Sequence, residues 1–133
     1  MWKREYIPDG HDLFRRAYPD QYNRKTGRFS GAAFKLRIKK GEEALSVSWS
    51  KYTTAEKASV DPQGRKFYVG ALRAKVPRNH ALQVIHTPNS GNRAHSSIKG
   101  EKLIDSPLLI ARILSKNCRP LITSIQRFNS QKS

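Results

Sequence analysis

Three histidines, His80, His86 and His95, fall within 16 residues of one another, around a loop rich in Pro, Gly and Asn. An imidazole exchanges its proton near neutral pH, so two of them beside a phosphodiester can act as general base and general acid. The chemistry would be RNA cleavage without a metal ion, with a nearby Lys or Arg stabilising the charge on phosphorus. His86 closes an apolar run and His95 lies across the loop from it, so His86 and His95 are the candidate pair. The plainer role of a loop histidine is to cap a turn or to contact phosphate.

The second candidate is larger. From Gln21 to Gly41 there are seven cations, Arg24, Lys25, Arg28, Lys35, Arg37, Lys39 and Lys40, and no acid, with Tyr22 and Phe29 interleaved. A basic loop feeding a strand with cations on its outer face would make a stripe of phosphate contacts, and Tyr22 or Phe29 would stack on unpaired bases. The same lysines on an edge strand would also serve to block sheet-to-sheet aggregation. Arg65, Lys66, Arg73, Lys75 and Arg78 form a second basic cluster. Arg112, Lys116, Arg119 and Arg127 form a third, near a helix C-terminus where the dipole favours cations.

Other chemistries find little support. One cysteine and scattered histidines do not supply four zinc ligands. The acids are few and only Glu42 and Glu43 are adjacent, which disfavours paired-carboxylate or two-metal hydrolysis. No phosphate-binding glycine loop or nucleophile elbow is present, and neither metal nor cofactor is expected. Cys118 lies between Lys116 and Arg119, which would lower its pKa, but a buried, inert thiol at a helix end is the expected state.

The 133 residues fit one domain, read as an irregular arm over 1–10, a basic core domain over 11–128 and a polar tail over 129–133. With 26 Lys+Arg against 10 Asp+Glu the formal net charge is +16. Self-repulsion at that charge disfavours a compact chain, and a polyanionic partner offsets it. Neither a membrane-spanning run nor a secretory leader is seen, so the expected setting is the cytoplasm, without a membrane partner.

The elements that must position these groups follow from periodicity. Residues 33–39 alternate, with Phe34, Leu36 and Ile38 on one side and Lys35, Arg37 and Lys39 on the other, which predicts a strand. Leu45, Val47 and Trp49 alternate likewise after a turn at Gly41, predicting an antiparallel hairpin. Residues 12–18 are a strand or a helical turn, and 19–31 a long basic loop. A short helix is expected over 54–59, strands over 67–72, 81–85 and 94–99, and a helix beginning at Asp105-Ser106-Pro107. That helix carries Leu109, Ile110, Ile113 and Leu114 as an apolar stripe. The class is α+β, a small antiparallel sheet with one or two short helices; the alternative is a small β-barrel with helical decoration.

The stretches His86-Thr87-Pro88, Asn92-Arg93-Ala94-His95, Ile98-Lys99-Gly100, Leu13-Phe14-Arg15-Arg16 and 30–34 resemble small uncharacterised bacterial proteins. The resemblance spans about the middle two thirds of the chain. It implies a bacterial, cytoplasmic origin and carries no activity with it.

The expected function is nucleic-acid binding, with RNA or single strands favoured, as a subunit of a larger ribonucleoprotein or antiviral defence complex. One alternative is a metal-independent RNA-cleaving or nucleotide-acting enzyme using His86 and His95. Another is an interaction module for an acidic protein partner, docking through the apolar stripe.

Overall fold

Alternation along residues 44–49 puts Leu45, Val47 and Trp49 on one side of a strand, and all three are buried. In the computed structural model, which describes residues 2–125, this strand belongs to a six-stranded sheet. The strands are β1 (Asp12–Ala17), β4 (Ala44–Trp49), β5 (Tyr68–Arg73), β6 (Gln83–His86), β7 (His95–Lys99) and β8 (Arg119–Ile122). Two further strands, β2 (Tyr22–Asn23) and β3 (Arg28–Phe29), pair as a separate small hairpin. The short helices are α1 (Ala55–Ala58), α2 (Lys75–Arg78) and α3 (Lys102–Asp105), and the longest is α4 (Pro107–Lys116).

The sheet order is β6-β7-β4-β1-β5-β8, and every neighbouring pair is antiparallel. Its two ends do not meet, so the fold is an open α+β sheet and the barrel alternative is set aside. Pro120 fits because β8 is an edge strand, where a missing N–H costs no ladder bond. No helix among the described residues is long and apolar enough to cross a membrane.

Register assigns the two faces. Leu13 lies opposite both Trp49 and Leu72, and Leu45 opposite Ile98. These side chains form one buried cluster with Phe34, Leu103, Ile110 and Leu114. Burying each large side chain contributes roughly 1.5–3 kcal/mol. The other face of β1 and β5 carries Phe14, Val69 and Ala71, covered by Ala58 of α1. Thr54 caps that helix by accepting from Lys57 N at 3.2 Å.

The predicted strand over 33–39 does not form. Residues Gly31–Phe34 and Ile38–Lys40 are 3-10 turns, and β4 pairs with β1 and β7 instead. The reason is local. Glu42 accepts from Arg37 N at 2.7 Å and from its guanidinium at 2.6 and 2.9 Å. Gly41, with φ 77°, closes the turn through its N–H to Ile38 O at 2.9 Å. The Arg37 amide is thereby spent inside the loop and cannot join a ladder. Phe34 is buried, but Ile38 is 57% exposed, against the expected shared face.

The first ten described residues have no regular secondary structure yet are fastened to the sheet. Ile7 is buried in the core. Arg78 donates to Ile7 O at 2.6 Å and to Asp9 at 2.7 Å, and lies over the Tyr6 ring. Glu5 accepts from Lys51 at 2.6 Å and from the Tyr52 hydroxyl.

Candidate functional site

The ladder between β1 and β4 has only two pairs, Leu13↔Trp49 and Phe14↔Ser48. Beyond them the strands part, and the side chain of Arg15 enters the opening. Its Nε donates to Ala33 O at 2.8 Å and its Nη1 to Ser46 O at 2.9 Å. Burial pushes this guanidinium down to about 10; nearby Glu42 opposes the shift and Arg37 adds to it. It therefore stays charged at neutral pH.

The opening continues outward as a groove of about 590 Å³. Six cations line it, Arg15, Arg16, Lys35, Arg37, Lys40 and Arg65, against two acids, Glu42 and Asp61. Each acid already holds an arginine: Glu42 pairs with Arg37 and Asp61 with Arg65, both at 2.6 Å. Arg15 and Arg16 donate to backbone carbonyls, Arg16 to Ala58 O at 2.5 Å and Val60 O at 3.1 Å. Burial lowers the Arg16 pKa, opposed by Asp61. Among the described residues Lys35 and Lys40 make no ion pair. The lining thus keeps an excess of four positive charges on a concave surface. Tyr18, 52% exposed, stands at its margin with its ring 5.4 Å from that of Phe67.

Of the predicted basic stripe, Lys35, Arg37 and Lys40 line the groove; Lys39 is exposed in the same turn but does not. Arg24 and Lys25 are exposed in the β2–β3 turn and Arg28 on β3, outside the lining. The two aromatics lie outside the groove lining. Phe29 is buried in the core, and Tyr22 packs edge-on against it at 5.3 Å. In the second cluster only Arg65 reaches the groove. Arg73 is joined by Arg119 in pairing with Asp12, and Arg78 anchors the arm. Lys66 and Lys75 are exposed outside the lining. Arg112 and Lys116 are exposed on α4, and Arg127 lies outside the described residues.

The histidine pair is not a pair. His86 and His95 have opposite strand parity across the β6–β7 ladder, so they face opposite sides of the sheet. His86 is 1% exposed; its Nδ1 accepts from Glu5 N at 3.1 Å and its Nε2 donates to Arg93 O at 2.7 Å. Both nitrogens are used internally, which leaves it no general acid or base role. His80 sits half-buried in the turn after α2. His95, in contrast, lines the groove.

Cys118 is buried, and burial pushes its thiol up to about 12 despite Arg119. No cluster of three or more His, Cys, Asp or Glu suited to a metal occurs among the described residues. On α4, Ile110 and Leu114 are buried and Ile113 half-buried, while Leu108 and Leu109 are 66% and 53% exposed; Ile104 of α3 is exposed as well.

No family model, curated protein or solved structure matches the chain.

Arg15, Arg16, Tyr18, Ser46 and Phe67 escaped the sequence reading of the site. The available signal was two adjacent arginines inside the apolar run Leu13-Phe14-Arg15-Arg16-Ala17. A central strand seldom carries charge without a partner or a task.

The ion pairs set an acid dependence. Arg37 holds the Glu42 carboxyl below the usual range, chiefly through its side-chain hydrogen bonds. Lys51 and then Tyr52 do the same for Glu5. For Asp61 burial acts upward, but hydrogen bonds from Arg65 and Gln63 outweigh it. A carboxyl depressed in the folded state stabilises the fold above its unfolded pKa, roughly 4. That contribution is lost as pH falls through the folded value. Urea midpoints are expected to stay level near neutrality with respect to these groups and to drop below about pH 4–5. Glu42→Gln should flatten that drop; an unchanged acid limb would remove the Arg37–Glu42 pair as a contributor.

Proposed function

We propose that this chain binds nucleic acid along the groove between β1 and β4, with RNA or other single strands as the preferred form. The observation that carries the reading is the excess of four cations on one concave lining. A phosphodiester chain offers a negative charge at each nucleotide, and neutralising those charges releases counterions. The exposed ring of Tyr18 offers a base a stacking face at the groove margin. Duplex reading by a helix is disfavoured, because α4, the longest helix described, has its inner side packed in the core. Service within a larger ribonucleoprotein or defence complex draws support from exposed Ile104, Leu108 and Leu109, which leave an apolar surface beside α4.

The test is polarisation binding of a labelled single strand across a salt series. With four phosphates neutralised, log affinity against log salt should fall with a slope of about −3. Lys35→Glu and Lys40→Glu should each weaken binding to all sequences and reduce the slope by about 1. Lys75→Glu and Arg112→Glu, outside the groove, serve as controls. A slope near zero, or controls as damaging as the groove variants, would refute the assignment.

A further inference from the structure

His95 stands on β7 opposite Ser48 of β4, with Ser46 on the same side of the sheet. Its Nδ1 lies 2.9 Å from Thr87 O and 3.0 Å from Thr87 Oγ1. A carbonyl oxygen only accepts, so Nδ1 carries the hydrogen and the neutral ring presents its lone pair at Nε2. Near Nε2 is the Ser46 hydroxyl at 3.4 Å, close to the limit of a hydrogen bond and displaceable by a ligand hydroxyl. Arg15 holds the same residue through its carbonyl, Nη1 to Ser46 O at 2.9 Å. A base fixed in one tautomer and a cation therefore both engage Ser46, in a groove whose charge suits a phosphodiester.

We infer that His95 is a general base for metal-independent cleavage of RNA held in this groove, an inference that rests on the binding reading above. Nε2 takes the proton of a ribose 2′-hydroxyl as it displaces the Ser46 hydroxyl. The 2′-oxygen bonds to the adjacent phosphorus, the bond from phosphorus to O5′ breaks, and O5′ leaves with a proton from water. The imidazolium returns its proton to solvent. The products are a 2′,3′-cyclic phosphate and a 5′-hydroxyl end. The bond to Thr87 O keeps the ring from turning its N–H toward the substrate, and the surrounding cations face the charge that builds on phosphorus.

The experiment incubates the full chain with an end-labelled oligoribonucleotide of mixed sequence in excess chelator, and follows binding by polarisation in parallel. Wild-type protein should cut the RNA and leave cyclic phosphate ends. His95→Ala should cut about 10²–10⁴-fold more slowly while binding RNA nearly as well. His95→Gln, which can still donate to the Thr87 carbonyl, should fold as wild type and be equally inactive. An all-deoxy strand should not be cut. RNA that is bound but left whole overturns the inference and leaves the binding reading standing. RNA neither bound nor cut removes both. Cleavage of the deoxy strand, or cutting by His95→Ala at the wild-type rate, would overturn the role given to His95.

Discussion

Replacing His86 by alanine is expected to destabilise the fold by about 4 kcal/mol. The imidazole joins two segments that are otherwise remote in sequence, accepting from Glu5 N and donating to Arg93 O. Removing it takes the partner from the part-buried Glu5 N–H and Arg93 carbonyl, at a cost of up to about 1–3 kcal/mol each. It also empties the space beside the Trp49 ring at 5.0 Å and the Tyr52 ring at 5.9 Å. Amide exchange should report the damage locally, with protection at Glu5 lost before the central strands open. The check is a urea midpoint together with exchange at residues 4–8. A loss below about 1 kcal/mol would mean that the arm is held without the imidazole.

Gly70→Ala is expected to cost about 3 kcal/mol, and to lower the melting temperature by roughly 10 °C. Gly70 is absent from the glycines with positive φ, so its requirement is for space. A Cβ there would stand 2.3 Å from Cys118 Sγ and 2.9 Å from the Phe29 ring. Neither neighbour can retreat easily, since Phe29 is buried in the core and Cys118 follows α4 into the edge strand β8. Cys118→Ala removes the nearer atom, so the double variant should recover part of the loss, with Phe29 still in the way. A melt of Gly70→Ala within a degree or two of wild type would show that the three groups are less crowded than described.

Where a segment's burial follows its own periodicity, the sequence was readable. Residues 45–49 alternate and are buried as the pattern requires, and Pro107 opens α4. The α+β class and the open antiparallel sheet follow from such segments. Residues 33–39 alternate just as cleanly, yet a carboxylate three residues beyond the run captures the Arg37 amide and folds the segment into 3-10 turns. Periodicity counts side chains and is blind to a side chain that competes for a backbone donor. The loop over 19–31 contains the β2–β3 hairpin, too short to show a pattern. The site was half legible. Charge identified Lys35, Arg37 and Lys40, but their gathering with Arg15, Arg16 and Arg65 depends on two strands separating, which no local signal encodes. Phe29 and Tyr22 show the converse: of two aromatics among cations in sequence, Phe29 is a core residue in space and half-buried Tyr22 packs against it.

The parted ladder makes the sheet two panels, β6-β7-β4 and β1-β5-β8, stitched at one corner by Leu13, Phe14, Ser48 and Trp49. Arg15 spans the gap as a rung made of side chain rather than backbone. A molecule seated between the panels touches both, so its affinity and their alignment share one free energy. Occupancy should therefore stiffen the whole sheet in proportion to the logarithm of ligand concentration, with the greatest change in the amides flanking the seam.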